Sequence, residues 1–535
     1  MTGGEAAVAA LVANGVDTLF CLPGIQNDFF FNALYDHNST SDTPVRPIHT
    51  RHEQGAGYMA LGYAMATGGV GAFSVVPGPG ILNATAALAT AYAVNAKVLC
   101  LTGQLPTRVI GRELGALHEI ENQLEIISSL TKWAVRAESA DEVADVITRG
   151  FEELHSGRPR PVGIEIPMDV LPGTTEVTIP PAARGRDDSD VSPAQLDRAA
   201  EMLAGAERPM IFVGGGAMDA SADVLALAEQ LQAPVVSFRT GHGVIDERHP
   251  LFMFQPAAKK YWPDCDVAIS IGSNMRPMLQ GWAKQHMPQL IRIDIDPTTH
   301  ERIATPEVAI TARAEVAVGE ILNRIRSISP EPAERPDDIH RVMSEFIDES
   351  AVLEPQLSYL AEIRRGMGDD GIFVDELTQV GYVSRVRWRA YEPRTYITCG
   401  YQGTLGYGLP TAIGAKVARP DAPVVSISGD GGFMFGVQDL ATAVQHRIGA
   451  VFVIFDNSAY GNVQMMQRAD HGGRVIATEL VNPDFVALAE SFGAVGVSAD
   501  SPEAVGDAIA AATDRDLPTV IHAPVGEVPS MEAFR

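Results

Sequence analysis

Asp430 stands between glycines at the end of an apolar, β-branched run, in the stretch VVSISGDGG. In a parallel sheet covered by helices, ligands bind beyond the carboxyl ends of the strands, where glycines let backbone N–H groups approach an anion. An aspartate there would repel a phosphate unless a cation lies between them, and Mg²⁺ takes protein oxygens together with phosphate oxygens. Asn457 follows 27 residues later, after the next apolar run. We therefore predict a site for Mg²⁺ and a diphosphate, an ordinary tight turn being the alternative.

The elements that must position these residues alternate between apolar β-branched runs and helical patterns along the whole chain. Such alternation predicts parallel sheets with helices on both faces. We predict an α/β protein of three consecutive doubly wound parallel-sheet domains, over residues 1–172, 190–328 and 345–535. Thr174–Pro193 and Ser327–His340 are rich in proline and charge and are predicted linkers.

Local signals within these domains predict individual helices. Ser192 and Pro193 are expected as the N-cap and the first residue of a helix in the second domain. Leu82–Val94 is alanine-rich and is expected to be a tightly packed helix. A helix is also expected around Val437–Gln445. The first and third domains could share an architecture.

Composition narrows the classes of protein. The 535 residues carry a formal net charge of −27, which disfavours a nucleic-acid partner. No apolar run is long enough for a membrane span and no secretory signal is visible, so we expect a cytoplasmic protein. The four cysteines lie far apart and are expected to be reduced core residues: Cys21, Cys100, Cys265 and Cys399.

Four motifs in order give a resemblance that spans essentially the whole chain. RHEQGAGYMALGYA (Arg51–Ala64), VPGPGILN (Val76–Asn83), GTLGYGLPTAIGAK (Gly403–Lys416) and the GDGG stretch with its distant asparagine resemble the thiamine diphosphate-dependent enzymes. The similarity is to the branch that holds acetolactate synthase, benzoylformate decarboxylase and benzaldehyde lyase. It implies a thiamine diphosphate-binding fold with a Rossmann-like middle domain. It also implies a homodimer or homotetramer, because the cofactor lies between two subunits in this family.

The resemblance assigns roles to matching residues. Glu53 would hydrogen-bond the pyrimidine ring of thiamine diphosphate and help to form the reactive ylid, while Gly403 would accept from the aminopyrimidine and Leu405 would hold the cofactor bent. Asp430, Asn457 and the backbone carbonyl of Ala459 would bind Mg²⁺. The further cofactor-binding residues implied are Gly381, Tyr382, Gly429, Gly431, Gly432, Tyr460 and Gly461.

Departures from acetolactate synthase bear on the substrate. His118 stands where those enzymes usually have glutamine, and we interpret it as an active-site acid or base, a structural histidine being the alternative. Gln26 corresponds to a catalytic histidine of benzaldehyde lyase and could orient a carbonyl. Met466 replaces the tryptophan that favours a larger second keto acid, which argues against branched-chain amino-acid biosynthesis. The predicted substrate pocket comprises Ile25, Gln26, Asn83, His118 and Met466.

The middle domain differs from that of the FAD-binding acetolactate synthases. The segment GSNMRPM (Gly272–Met278) lacks the acidic pair that the corresponding segment carries in those enzymes. We therefore expect thiamine diphosphate and Mg²⁺ as cofactors, without an FAD of the usual kind.

The predicted function is a C–C lyase or carboligase that acts on a 2-oxo acid. Decarboxylation through an enamine would precede ligation to a second carbonyl compound, an aldehyde or a ketone. The absence of the adjacent histidine pair of pyruvate-type decarboxylases favours ligation. The alternatives are a 2-oxo acid decarboxylase, a benzaldehyde lyase-like enzyme, a 2-hydroxyacyl-CoA lyase and a non-catalytic homologue. A dinucleotide-binding dehydrogenase is disfavoured because no GxGxxG motif follows the first strand.

Overall fold

The computed structural model describes residues 1–186, 189–334 and 338–534. They form two compact units. The first comprises Met1–Arg186, Ile372–Thr378 and Cys399–Gly526, and the second comprises the remaining described residues. Residues 187–188 and 335–337 of the predicted linkers, and residue 535 of the third predicted domain, lie outside the described residues. The predicted domain boundaries stay predictions.

The first unit contains an N-terminal parallel sheet of six strands in the order β2-β1-β3-β4-β6-β5. The strands are β1 (Thr18–Cys21), β2 (Arg46–His49), β3 (Gly71–Val75), β4 (Val98–Gln104), β5 (Trp133–Arg136) and β6 (Val162–Pro167). Its helices are α1 (Gly3–Ala13), α2 (Asp28–Thr40), α3 (Glu53–Thr67), α4 (Pro79–Val94), α5 (Gln123–Leu130) and α6 (Val143–His155). The central strands β3 and β4 are buried along their whole length, as the predicted covering by helices requires.

The second unit contains a parallel sheet of five strands in the order β11-β10-β9-β7-β8. The strands are β7 (Met210–Val213), β8 (Val235–Ser237), β9 (Val267–Ile271), β10 (Gln289–Asp294) and β11 (Val308–Thr311). The helices of this unit are α7 (Pro193–Ala204), α8 (Ser221–Leu231), α9 (Gln255–Tyr261), α10 (Arg276–Gln280), α11 (Ala314–Ile328), α12 (Asp338–Glu349), α13 (Gln356–Met367) and α14 (Gln379–Arg387).

The C-terminal strands are β12 (Ile372–Val374), β13 (Tyr396–Ile397), β14 (Val424–Gly429), β15 (Val451–Asp456), β16 (Val495–Ser498) and β17 (Thr519–Pro524). Five of them form a parallel array in the first unit, in the order β12-β14-β15-β17-β16. The helices of this part are α15 (Gly408–Ala418), α16 (Asp430–Gly436), α17 (Leu440–Gln445), α18 (Gly461–Asp470), α19 (Phe485–Ser491) and α20 (Pro502–Ala512).

The predicted fold class, three parallel-sheet α/β domains, is confirmed. Ser192 and Pro193 stand at the N-cap and the first position of α7, as expected. All four cysteines are buried and free. No described helix combines the length and hydropathy that crossing a bilayer requires.

The predicted helix around Val437–Gln445 is present as a 3-10 turn over Val437–Asp439 followed by α17, but α16 before it was not predicted. GDGG is not a separate turn, because β14 ends at Gly429 and α16 begins at Asp430. Gly429 is extended, so it caps the helix directly. Likewise α4 begins at Pro79 rather than Leu82, since Gly78 has a left-handed φ of 61° and the proline fits the first helical position. Both turns therefore aim helix N-termini at the carboxyl edge of a sheet.

Helices α3 and α15 pack closely within the first unit. A Cβ on Gly62 would lie 2.0 Å from the Thr411 carbonyl oxygen, and a Cβ on Gly414 would lie 1.9 Å from that of Met59. Glycine at both positions therefore lets the two backbones approach each other. This contact fixes the helix that begins with Glu53 against the helix that follows the Leu405 loop.

Candidate active site

Asp430 begins α16 at the carboxyl edge of the C-terminal sheet. Gly429 pairs with Phe455 in the parallel register, so Asp430 and the Asp456–Asn457 pair leave neighbouring strands at the same edge. The Asp430 side chain is buried, with 2 % exposed. Burial raises the pKa of its carboxyl above the ordinary value, and the nearby Asp456 carboxylate adds to this.

Asn482 bridges the two aspartates. Its Nδ2 donates to Oδ2 of Asp430 at 2.7 Å and to Oδ1 of Asp456 at 2.9 Å. Although burial disfavours the charge on Asp456, hydrogen bonds from the Ser458 N–H, His522 and Asn482 hold the pKa of this carboxyl below its ordinary value. Sequence reasoning missed Asn482, because it lies on an irregular segment with no motif.

The residues after β15 could hold a divalent cation together with Asp430. Asn457 is half-buried, and Ser458 has a left-handed φ of 53° that turns the chain before Ala459. A carboxylate, an amide oxygen and a backbone carbonyl are the hard oxygen donors that suit Mg²⁺. The described residues contain no group of three His, Cys, Asp or Glu side chains able to bind a metal. A cation here would therefore depend on the mixed donor set, and the crowded carboxylates of Asp430 and Asp456 fit one.

The loop from Gly403 to Gly408 lies beside this edge. Gly403 is exposed and has a left-handed φ of 59°, and Leu405 is half-buried. Leu405 Cδ2 would be 3.8 Å from a Cβ placed on Gly432, so Leu405 lies over the start of α16. The predicted cofactor residues Leu405 and Gly432 are thus brought together.

Glu376, two residues after β12, is a residue that sequence reasoning missed. It is fully buried and accepts hydrogen bonds from the Gly406 and Gly408 N–H groups and from the Ser428 hydroxyl. Burial raises its pKa to about 7. The letters VDEL give no signal of this, because the partners lie 30 to 52 residues further along the chain.

Glu53 begins α3, as its motif predicts. Its Oε2 accepts a hydrogen bond from Asn83 Nδ2 at 3.0 Å. The preceding Arg51 N–H donates to Oδ1 of Asp439 at 2.9 Å, so the C-terminal part of the first unit holds the start of this helix. Burial raises the pKa of Asp439 to about 6. The structure therefore brings Glu53 together with Asn83 of the predicted substrate pocket.

Gln26 contacts the backbone directly before His118. Gln26 Nε2 donates to the Leu117 carbonyl at 3.2 Å. Gln26 Oε1 and His118 Nδ1 are buried and have no hydrogen-bond partner among the described residues. Such buried polar atoms usually find a partner, and these two could receive one from a bound molecule. Ile25, beside Gln26, is 61 % exposed.

The remaining predicted residues differ in position. Tyr460 and Gly461 stand at the start of α18, which carries Met466 and has no buried residue. Tyr460 contacts the start of α16, since its Cε1 would be 2.5 Å from a Cβ on Gly431. Gly381 and Tyr382 lie on α14 in the second unit, so the geometry of the first unit does not test their predicted place beside the diphosphate.

Three domain families match successive parts of the chain. The N-terminal TPP binding domain of the thiamine pyrophosphate enzymes matches residues 1–126, their central domain matches residues 196–323, and their C-terminal TPP binding domain matches residues 378–523.

Individual relatives are similar over nearly the whole chain. A probable acetolactate synthase large subunit of Methanocaldococcus jannaschii is 33 % identical over 94 % of this chain and 88 % of that protein. The acetolactate synthase isozyme 2 large subunit of Escherichia coli is 30 % identical over 99 % and 96 %. A probable 2-ketoarginine decarboxylase of Pseudomonas aeruginosa is 31 % identical over 92 % and 88 %. The chain therefore belongs to the thiamine pyrophosphate enzymes, in the branch that resembles acetolactate synthase.

Proposed function

We propose that this thiamine diphosphate-dependent enzyme decarboxylates a 2-oxo acid and joins the remaining acyl unit to a second carbonyl compound. We also propose that Mg²⁺ holds its cofactor. Bound thiamine diphosphate supplies the electron sink for this chemistry. The observation that carries the proposal is the edge where buried Asp430 meets Asp456 beside Asn457. A cation would relieve the repulsion between these two close carboxylates, and the same cation would bind the diphosphate.

The C-terminal residues would bind and orient the diphosphate end. Asp430, Asn457 and the Ala459 carbonyl would hold Mg²⁺. Gly431 and Gly432, at the N-terminal end of α16, would offer backbone N–H groups to the phosphate oxygens. Leu405 would support the cofactor from below.

The N-terminal residues would handle the proton and the substrate. Glu53, oriented by Asn83, would hold a proton at the pyrimidine ring nitrogen. The buried Nδ1 of His118 and Oε1 of Gln26 lack partners among the described residues. A protonated His118 Nδ1 would donate to a substrate carbonyl group, whereas Gln26 Oε1 would accept from a hydroxyl group that forms on the substrate. His118 would serve as acid or base, a structural role being the alternative.

A second candidate function is simple decarboxylation of a 2-oxo acid. A relative of similar identity is named a probable 2-ketoarginine decarboxylase. Ligation is preferred because the chain has no adjacent histidine pair to protonate the acyl unit. The benzaldehyde lyase-like and acyl-CoA lyase alternatives lie behind these two.

We infer that the enzyme acts as a homodimer or a homotetramer. Helix α18 has no buried residue, and it leaves Val463 50 % and Met466 48 % exposed. A second subunit covering this helix would remove apolar surface from water and close the substrate pocket. Four free, buried thiols favour a cytoplasmic location.

We propose that the middle domain holds no FAD of the usual kind. In the second unit, a Cβ on Gly216 would lie 2.9 Å from the Gly272 Cα, so the turns after β7 and β9 close against each other. Purified protein should show no flavin absorbance near 450 nm, and stoichiometric flavin would contradict this.

The reaction is tested by giving the protein, loaded with thiamine diphosphate and Mg²⁺, a panel of 2-oxo acids with and without aldehydes. Released CO₂ and ligation products are measured together. We expect 2-hydroxy ketones or acetohydroxy acids from at least one pair. Aldehyde release without any ligation product would favour the decarboxylase, and no CO₂ from any 2-oxo acid would contradict both.

A further inference from the structure

We propose that Glu376 is a positioning residue that ties the Leu405 loop to the strand end carrying Asp430, and so sets the thiamine diphosphate site. This role rests on the proposed function of that site. No residue assignment from the sequence motifs includes Glu376, which follows the short strand β12.

Both carboxylate oxygens of Glu376 are used. Oε1 accepts from the Gly406 N–H at 2.8 Å, and Oε2 accepts from the Gly408 N–H at 2.9 Å and from the Ser428 hydroxyl at 3.1 Å. Gly406 and Gly408 flank the turn just after Leu405, and Ser428 lies two residues before Asp430. One side chain therefore fixes two segments that are adjacent only in the folded chain.

The Glu376 carboxylate is also closely packed. A Cβ on Gly432 would lie 2.1 Å from Glu376 Oε1, and a Cβ on Gly408 would lie 2.6 Å from Oε2. Glu376 thus stands directly behind the glycine expected to line the diphosphate path. The next-door Asp375 holds the same loop, because its Oδ1 accepts from the Tyr407 hydroxyl at 2.6 Å.

The geometry requires a carboxylate rather than any polar side chain. Two backbone N–H groups point at separate oxygens, and a glutamine amide offers only one oxygen to them. The NH₂ group of glutamine would face a backbone N–H, which leaves two buried donors in contact. The loop would then shift, and Leu405 and Gly403 with it.

Glu247 in the second unit supplies a matched control. It is also fully buried, and it accepts from the backbone N–H groups of Gly243 at 3.2 Å and Ala390 at 2.9 Å. It also contacts His242 Nδ1 at 2.9 Å. Glu247→Gln therefore also places an amide NH₂ group against a buried backbone N–H, but at a site outside the proposed cofactor residues.

The experiment measures Kd for thiamine diphosphate at saturating Mg²⁺ by calorimetry, and the melting temperature of each apoprotein. Glu376→Gln should raise Kd at least about tenfold. Glu247→Gln should lower the melting temperature of the apoprotein by about as much as Glu376→Gln does at the same pH, but it should leave Kd unchanged. Glu376→Asp, which keeps the charge on a shorter arm, should give an intermediate Kd.

Ser428→Ala removes one of the three hydrogen bonds without a fault in the backbone, and it should raise Kd about threefold. It keeps the test valid if Glu376→Gln does not fold. The proposal is overturned if the folded Glu376 variants and Ser428→Ala all bind thiamine diphosphate as the parent does. If the parent protein itself binds none, the proposed function fails instead.

Discussion

The two sheets of the first unit share a strand order and differ in what stands at their carboxyl edges. The N-terminal strands β1-β3-β4-β6-β5 correspond in order to the C-terminal strands β12-β14-β15-β17-β16. At the C-terminal edge, the carboxylates of Glu376, Asp430 and Asp456 are buried or half-buried and all accept hydrogen bonds. At the N-terminal edge, Gln26 and His118 each leave a buried atom without a partner among the described residues.

Topology thus decides where a ligand binds, whereas the residue types after each strand decide which end of the ligand binds there. Crowded carboxylates suit a cation and its diphosphate. An amide oxygen and an imidazole nitrogen with unused hydrogen-bonding capacity suit the hydroxyl and carbonyl groups of an organic substrate. We therefore expect C-terminal variants to change cofactor binding and N-terminal variants to change turnover or KM.

The largest effect on cofactor binding is expected at Asp430. Asp430→Ala removes the buried carboxylate of the proposed Mg²⁺ site and should weaken thiamine diphosphate binding about 100-fold or more. Calorimetry with Mg²⁺ present measures this. Asp296→Ala, which removes an aspartate cap in the second unit, is the control and should bind normally. Unchanged binding by Asp430→Ala would erase the difference between the two edges.

Glu53→Gln should lower kcat about 100- to 1,000-fold, because the amide cannot hold the proton at the pyrimidine ring. Its Kd for thiamine diphosphate should stay within a few-fold of the parent value. Glu5→Gln changes another first-turn glutamate, in α1, and should leave both constants alone. If Glu53→Gln turned over every active substrate at the parent rate, its proposed role would be wrong.

Gln26→Leu should lower kcat/KM about tenfold, since a hydroxyl group that forms on the substrate would lose its acceptor, Gln26 Oε1. The Kd for thiamine diphosphate should not change. Gln356→Leu is matched to it, because Gln356 in the second unit is also buried and its Oε1 has no partner in the part of the chain that the structure describes. Equal losses from both variants would show a stability effect rather than a substrate contact.

The smallest expected effect is a pH dependence that comes from Glu376. Burial raises its pKa from 4.5 to about 7, so the folded apoprotein holds this proton more tightly than the unfolded chain does. Its contribution to stability is full below about pH 4.5 and is lost as the pH rises through 7. Glutamine does not titrate, so the variant lacks this loss of stability. The melting temperature of Glu376→Gln minus that of the parent should therefore increase by roughly 2–4 °C from pH 5 to pH 8. A constant difference would contradict the raised pKa.

Much of the fold and some of the site could be predicted from sequence. Asp430 and Asn457 were predicted to lie at one edge because each directly follows an apolar strand, and the parallel pairing of Gly429 with Phe455 agrees with this placement. Their role as Mg²⁺ ligands stays a prediction. The partners Asn482, Asp439 and Glu376 could not be found, because each acts through tertiary contacts with distant segments. Helix α16 was missed because the glycines suggested a turn, although extended Gly429 serves as a helix cap.

The exposure of α18 also lay beyond sequence reasoning. Its Met466 was placed in the substrate pocket by resemblance, but no residue of the helix is buried within the described chain. We propose that a second subunit covers it.

We propose above all that a divalent cation held by Asp430 and Asn457 anchors the diphosphate. The most direct measurement is thiamine diphosphate binding to the stripped protein as Mg²⁺ is titrated, with EDTA as the zero point. We predict no measurable binding in EDTA and one equivalent per chain at saturating Mg²⁺. Equally tight binding with and without the cation, or no binding in either case, would contradict this role of the cation.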